Sequence, residues 1–154
     1  METAYISCDP GAKGSFCLLV PTLGHIEFYP TNELPINIIS WLKDAESKYK
    51  IKVIMLEDVH AIFGTSANSN FKFGYNVGVV NALCASTGSM VDRVSPKKWQ
   101  KELGITAKGK LIKKAVAEKI LMLYPKAVIK GPKGGLLDGR SDSLSIAHFA
   151  LLKY

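Results

Sequence analysis

The chain has 154 residues, 47% of them hydrophobic and 21% charged, which fits one domain over residues 1–154 that buries its own core. No apolar run approaches the ~20 residues of a membrane helix, and the apolar stretch between Glu2 and Asp9 is too short for a signal peptide, so a cytoplasmic protein without membrane contact is expected. Three cysteines (Cys8, Cys17, Cys84) with no C-x-x-C spacing exclude a disulfide framework and a zinc site and read as buried free thiols; the three histidines form no H-x-x-x-H pair.

The net charge of +7 is unevenly placed, since twelve of the twenty Lys and Arg residues lie between Arg93 and Lys133, against only Glu102 and Glu118. Such a stretch is either the footprint of a polyanion binder, which gains affinity by releasing counterions from phosphates, or a lysine-rich solvated helix face.

Along the chain, residues 4 to 8, Ser15 to Val20 and His25 to Tyr29 read as three consecutive strands, with Pro21 and Gly24 marking the turn between the last two. Ile36, Ile39, Trp41, Leu42, Ala45 and Tyr49 recur at helical spacing, and Lys52 to Leu56 is an apolar run of buried-strand type. A Gly/Ser/Asn loop (Gly64 to Asn70) leads into a helix over Phe71 to Ala85, followed by a strand at Met90 to Val94. Ser95-Pro96 has the form of a helix N-cap with Pro at the first helical position. Lys108 to Leu123 is a basic amphipathic helix stopped near Pro125, and Leu144, Ala147, His148 and Leu151 space a last helix beginning near Asp138. The order predicts an α/β domain around one sheet.

Acids stand where these elements end. Asp9 closes the first strand, at the turn Asp-Pro-Gly, and Glu57 closes "KVIMLE", each beyond an apolar run where an unpaired charge costs several kcal/mol. Asp138 and Asp142 are four apart, so they share one face of the last helix and repel unless a cation sits between them. Singly, Asp9 also reads as a turn residue, Glu57 as a surface acid at a strand end and Asp138 as a helix N-cap. As a set, they are the oxygen ligands that a pair of hard cations requires, with open positions for phosphate oxygens.

Four stretches together, "DPGAKGSFCLL", "LEDVHAIFGTSANSNFKFGYNVGVVNAL", "SPKKWQKELGI" with the basic helix after it, and "DGRSDSLSIAHFAL", cover nearly the whole chain. Over them the chain resembles the RuvC-type Holliday junction resolvases of the RNase H-like superfamily, nearest their phage and Gram-positive branch. The resemblance implies an RNase H-like mixed five-stranded sheet flanked by helices, in a homodimer that binds a four-way DNA junction and nicks two opposing strands with Mg²⁺. Carried over by position, Asp9 resembles the first-strand acid, Glu57 the central-strand acid and Asp142 the last acid. The family pattern places the remaining acid three residues before the last, at position 139, where this chain has Gly; Asp138 stands at a spacing of four, on the same helix face.

The reaction so implied is phosphodiester hydrolysis with two Mg²⁺ ions on the order of 4 Å apart, Mn²⁺ being an alternative. Asp9 is the candidate bridging ligand, Glu57 and Asp142 each favour one metal, and Asp138 helps position metal or water. His148 lies about 240° round the helix from Asp142 and reads as packing or partner contact rather than catalysis. Lys13 is placed to neutralise a phosphate near the metals, and Lys97, Lys98, Lys101, Lys108, Lys110, Lys113 and Lys114 are the expected phosphate contacts. Phe63, Phe71 and Phe73, around the loop from Ala61 to Asn70, are candidates for an aromatic wedge at the branch point, or for core and interface positions of the following helix. Gly74, Gly78 and Ala82, four apart, permit close helix approach and mark an expected dimer seam. Two other readings are a nuclease with broader taste for forks and flaps, and a non-cleaving DNA-binding protein on the same fold. Neither "GITAKGK" nor "GPKGG" supplies a nucleotide-binding phosphate loop.

Overall fold

A computed structural model describes residues 1–154. Five strands, β1 (Thr3–Asp9), β2 (Ser15–Val20), β3 (His25–Pro30), β4 (Lys50–Glu57) and β5 (Val91–Val94), form one sheet in the order β3-β2-β1-β4-β5. β1, β2 and β3 make an antiparallel meander, whereas β4 and β5 run parallel to β1 and to each other. The parallel pairings follow from the crossovers: α1 (Pro35–Lys48) returns the chain from β3 to β4, and α2 (Ala67–Ala85) returns it from β4 to β5. Three further helices follow, α3 (Pro96–Glu102), α4 (Leu111–Leu123) and α5 (Asp138–Lys153). The sheet is thus the mixed five-stranded α/β sheet that the sequence implies, and no helix is long and apolar enough to cross a membrane.

Alternation along the strands divides the core in two. Ala4, Ile6, Cys8, Phe16, Leu18, Ile54 and Leu56 point to one face, against Ile38, Trp41 and Leu42 of α1 and Val80 and Cys84 of α2. Tyr5, Cys17, Leu19, Val53 and Met55 point to the other, against Trp99, Val116, Ile120 and the apolar side of α5. Each fully buried Leu, Ile or Val in these layers contributes roughly 1.5–3 kcal/mol. The three cysteines are free and buried in them.

Asp9 and Glu57 belong to the second face by the same alternation, and the β1–β4 register pairs Cys8 with Leu56, one step before them. The two acids therefore end neighbouring parallel strands side by side. α5 lies across the same face, its small residues Ser141, Ser143, Ser145 and Ala147 all buried, and the Ser7 hydroxyl of β1 donates to the Ser143 carbonyl. Those small side chains bring the helix close to β1. Its start is fixed by the connection from α4, where the Leu137 N–H donates to Ile129 O at 2.8 Å and Lys130 bridges to Leu136.

The strands differ by at most two residues at their ends from those read in the sequence, β4 for instance starting at Lys50 rather than Lys52, and two helix starts differ by more. α2 begins at Ala67, so Ala67 to Asn70 form its first turn rather than a loop, because Ser66 caps it by accepting from the Ser69 N–H at 3.1 Å. α4 begins at Leu111 rather than Lys108; the Gly109 backbone has φ +60°, which a helix interior does not adopt.

Candidate active site

The turn between β1 and β2 is built to hold the end of β1 in place. Gly14 N–H donates to Gly11 O at 2.8 Å, Thr31 Oγ1 donates to the same carbonyl at 2.9 Å, and Asn76 Nδ2 of α2 donates to Pro10 O at 2.9 Å. Gly14 has no substitute here, since a Cβ on it would lie 2.0 Å from the Asp9 carbonyl oxygen. The turn in turn packs on the first residues of α5: a Cβ on Gly139 would lie 2.3 Å from the Lys13 carbonyl oxygen. This contact places Asp9 beside the end of α5 that carries Asp138 and Asp142.

The structure brings all four sequence-predicted acids into one electrostatic neighbourhood. Burial, followed by repulsion from Glu57 and Asp138, raises the Asp9 carboxyl to about 7, with the Gly11 backbone N–H and Lys113 opposing the rise. Burial and then repulsion from Asp9, Glu57 and Asp138 raise Asp142 to about 8. Glu57 is raised by burial, opposed by its hydrogen bond to Trp99. Desolvation and like charge act in the same direction on these acids.

Asp138 is not a helix cap. Leu137 occupies the cap position and Asp138 the first turn, with its Oδ2 2.7 Å from Lys113 Nζ. Lys113 thus faces the acids from α4, with its side chain 68% exposed. No three of the chain's His, Cys, Asp and Glu side chains form a group that could hold a metal ion in this structure.

Two contributors were not singled out from the sequence. Trp99 is buried and donates its indole N–H to Glu57 Oε2 at 2.7 Å, fixing that carboxylate from α3. A buried Trp must satisfy its N–H, so "SPKKW" carried a signal that some acceptor lies above it, though not which. The second is Gly139, whose contact with Lys13 is described above.

Lys97, Lys98, Lys101, Lys108, Lys110 and Lys114 are exposed on α3, α4 and the segment between them; Lys98 Nζ is 5.9 Å from the centre of the Phe149 ring, and Lys114 pairs with Glu118 at 3.9 Å. Lys13 is exposed on the β1–β2 turn. Phe63 is 99% exposed and Phe71 74% exposed, whereas Phe73 is half-buried near Ala12 and Asn76. Gly74, Gly78 and Ala82 form an open stripe on α2, with nothing within 4 Å of a Cβ at either glycine. His148 packs beside the end of α4, its Nδ1 2.7 Å from the Tyr124 hydroxyl, and burial lowers its pKa.

No family model matches the chain, and no curated protein matches it in sequence. Among solved structures, RuvC of T. thermophilus in complex with a Holliday junction substrate superposes with a TM-score of 0.62 at 18% identity, over 95% of this chain and 90% of that one. This chain has the RuvC fold. A second structure, Thermus thermophilus RuvC, matches with a TM-score of 0.54 at 18% identity, over 99% of this chain and 97% of the other. Both matches span the two chains almost entirely.

Proposed function

We propose that the protein is a metal-dependent endonuclease that resolves four-way DNA junctions by paired nicks, working as a homodimer of the phage and Gram-positive branch of RuvC-type resolvases. The single observation that carries the reading is geometric: Asp9 and Glu57 end the neighbouring strands β1 and β4, and the close backbone approach of Gly139 to Lys13 sets the start of α5, with Asp138 and Asp142, against the β1–β2 turn. The RuvC fold, seen in one solved structure with a Holliday junction substrate, supports the choice of DNA as substrate.

The donor set fits Mg²⁺ or Mn²⁺. All four groups are carboxylates, hard oxygen ligands without a thiolate or imidazole among them, and their mutual repulsion is relieved by positive charge. Asp9, Glu57, Asp138 and Asp142 would hold the ions, which supply a Lewis acid for the phosphoryl oxygens and lower the pKa of bound water.

The chain's own groups do the positioning. Trp99 orients Glu57 through its N–H, the glycine contact of the β1–β2 turn with α5 sets Asp9 against Asp142, and Lys113 holds Asp138 until a cation or phosphate competes for it. Lys97, Lys98, Lys101, Lys108, Lys110 and Lys114 orient the backbone of the DNA by charge without reading its bases. Phe63 and Phe71, exposed aromatics in the segment after β4 and on α2, would stack on or wedge between bases at the branch point.

The test is cleavage of a labelled synthetic four-way junction with Mg²⁺, beside matched duplex, flap and fork substrates, with Asp9→Asn as control. Paired symmetric nicks in the junction, absent from the variant, are expected. Equal cutting of all four substrates would replace junction resolution with a broader branched-DNA activity. Tight binding without metal-dependent cleavage would make the protein a DNA-binding module on a nuclease fold.

A further inference from the structure

Beside the acids, on the side away from β4, a cleft of about 400 Å³ opens between the β1–β2 turn, the end of β3 and the start of α5. Its volume lies within the range of small-ligand sites. Asp138 lines it, as do Lys13 and Gly139, which meet where the β1–β2 turn packs on α5. Its floor includes Gly14 and Gly139, both buried, where the backbones approach too closely for any side chain. These two glycines let the turn and α5 meet in direct backbone contact beside the cleft.

One wall is an arginine held in advance. The Arg140 guanidinium lies 5.3 Å from the centre of the Phe28 ring, and its Nη1 donates to Val128 O at 2.9 Å. A planar cation braced at two points loses little freedom when it takes up a phosphate or lies against a base. Across the opening stand exposed Lys13 and the Asn32 amide, which both donates and accepts hydrogen bonds as a base edge requires. The lone acid of the lining, Asp138, is paired with Lys113, which leaves Lys13 and Arg140 to set the sign of the field.

We propose that this cleft is a nucleotide subsite, holding one nucleotide of the cleaved strand next to the bond to be cut, with its phosphate on Arg140 and Lys13 and its base edge on Asn32. The proposal rests on the nuclease reading for the identity of the strand, and not for the binding itself.

The first measurement is an amide NMR titration of the full chain with a four-nucleotide thymidine oligomer in EDTA. Saturable shifts of Phe28, Asn32 and Arg140 are expected, with affinity falling about tenfold or more in Arg140→Gln, the loss of a charge-assisted contact. Arg140→Lys does not restore it, because the braced plane is lost. Shifts confined to the lysines of α3 and α4, with the cleft amides unmoved, would overturn the proposal; Asn32→Ala, an exposed change, repeats the comparison should Arg140→Gln fail to fold. The second measurement replaces single phosphates flanking the cut in a junction with methylphosphonates. Loss of cleavage at one flanking position in the wild type, with no further loss at that position in Arg140→Gln, is expected; independent, multiplying losses would count against the subsite. If no DNA is cut at all while the cleft amides still shift, the nuclease reading fails and the subsite stands.

Discussion

Lys113 Nζ lies 2.7 Å from Asp138 Oδ2, and through that contact α4 places a positive charge at the edge of four acids. The lysine side chain is 68% exposed, so the pair adds little to stability. Its effect is electrostatic, since Lys113 opposes the upward shifts of both Asp9 and Asp142.

A cation entering the site competes with this lysine. Lys113→Met removes a positive neighbour and frees Asp138, so Mn²⁺ is expected to bind roughly three- to tenfold more tightly at low salt. Calorimetric titration of the DNA-free protein reads this directly. Weaker binding in the variant would show that Lys113 organises the acids rather than standing in for a metal.

The raised acids make the metal-free protein sensitive to pH. Asp9 and Asp142 ionise near 7 and 8 in the folded chain, against an ordinary 3.8, so the folded state holds their protons where the unfolded chain has lost them. Their contribution to stability is full below about pH 4 and is lost as pH rises through the folded values. In EDTA, the melting temperature is expected to fall between about pH 5 and about pH 8.5, and Mg²⁺ at the upper pH to restore much of it. Asp9→Asn flattens the profile and stabilises the metal-free chain at the upper pH by roughly 1–3 kcal/mol, while abolishing cleavage. A steep, unchanged profile in the variant would remove Asp9 from the cluster.

How much of this was legible depends on the reach of each signal. Asp9 and Glu57 stood out because a charge at the end of an apolar run is a local pattern, and Asp138 with Asp142 because helical spacing is local too. The start of α2 was not legible, since Ser66 to Asn70 has a loop's composition and becomes a helix start only once Ser66 accepts from Ser69. Nor were the partners of Trp99 and Lys113, which lie 42 and 25 residues away along the chain, because side-chain pairing across elements leaves no periodic trace. Gly139 shows the same limit. As a sequence position it was a missing acid; in the structure it is a contact with Lys13 that no acid could occupy.

That contact gives a prediction about the spacing of the acids. Moving the acid to the position that RuvC-type resolvases are expected to use, as in Asp138→Asn with Gly139→Asp, drives a side chain toward the Lys13 carbonyl at 2.3 Å. The pair is expected to lose about 1–3 kcal/mol of stability, the cost of overpacking, and not to recover the cleavage lost in Asp138→Asn alone. Thermal melting and junction cleavage check the two halves separately. A stable, active double variant would mean that the turn yields and that the helix face, rather than the position along it, is what the site requires.

α2 poses the remaining question, because only Val80 and Cys84 of its nineteen residues are buried. Phe71 and Tyr75 are 74% and 67% exposed, and the stripe of Gly74, Gly78 and Ala82 lies open beside them. Small residues four apart let a second helix approach closely, and aromatics flanking them supply apolar area to bury. A second copy of α2 packing on this stripe would also bring two sets of acids into one particle, as paired nicking needs. Sedimentation velocity is expected to show a dimer for the wild type and a monomer for Gly78→Lys, an exposed change that leaves the carboxylates untouched. The monomeric variant should still bind Mn²⁺ and cut a junction strand poorly, with the coordination of opposing nicks lost. A wild-type monomer under the conditions of cleavage would assign the exposed face of α2, with Phe71, to DNA instead.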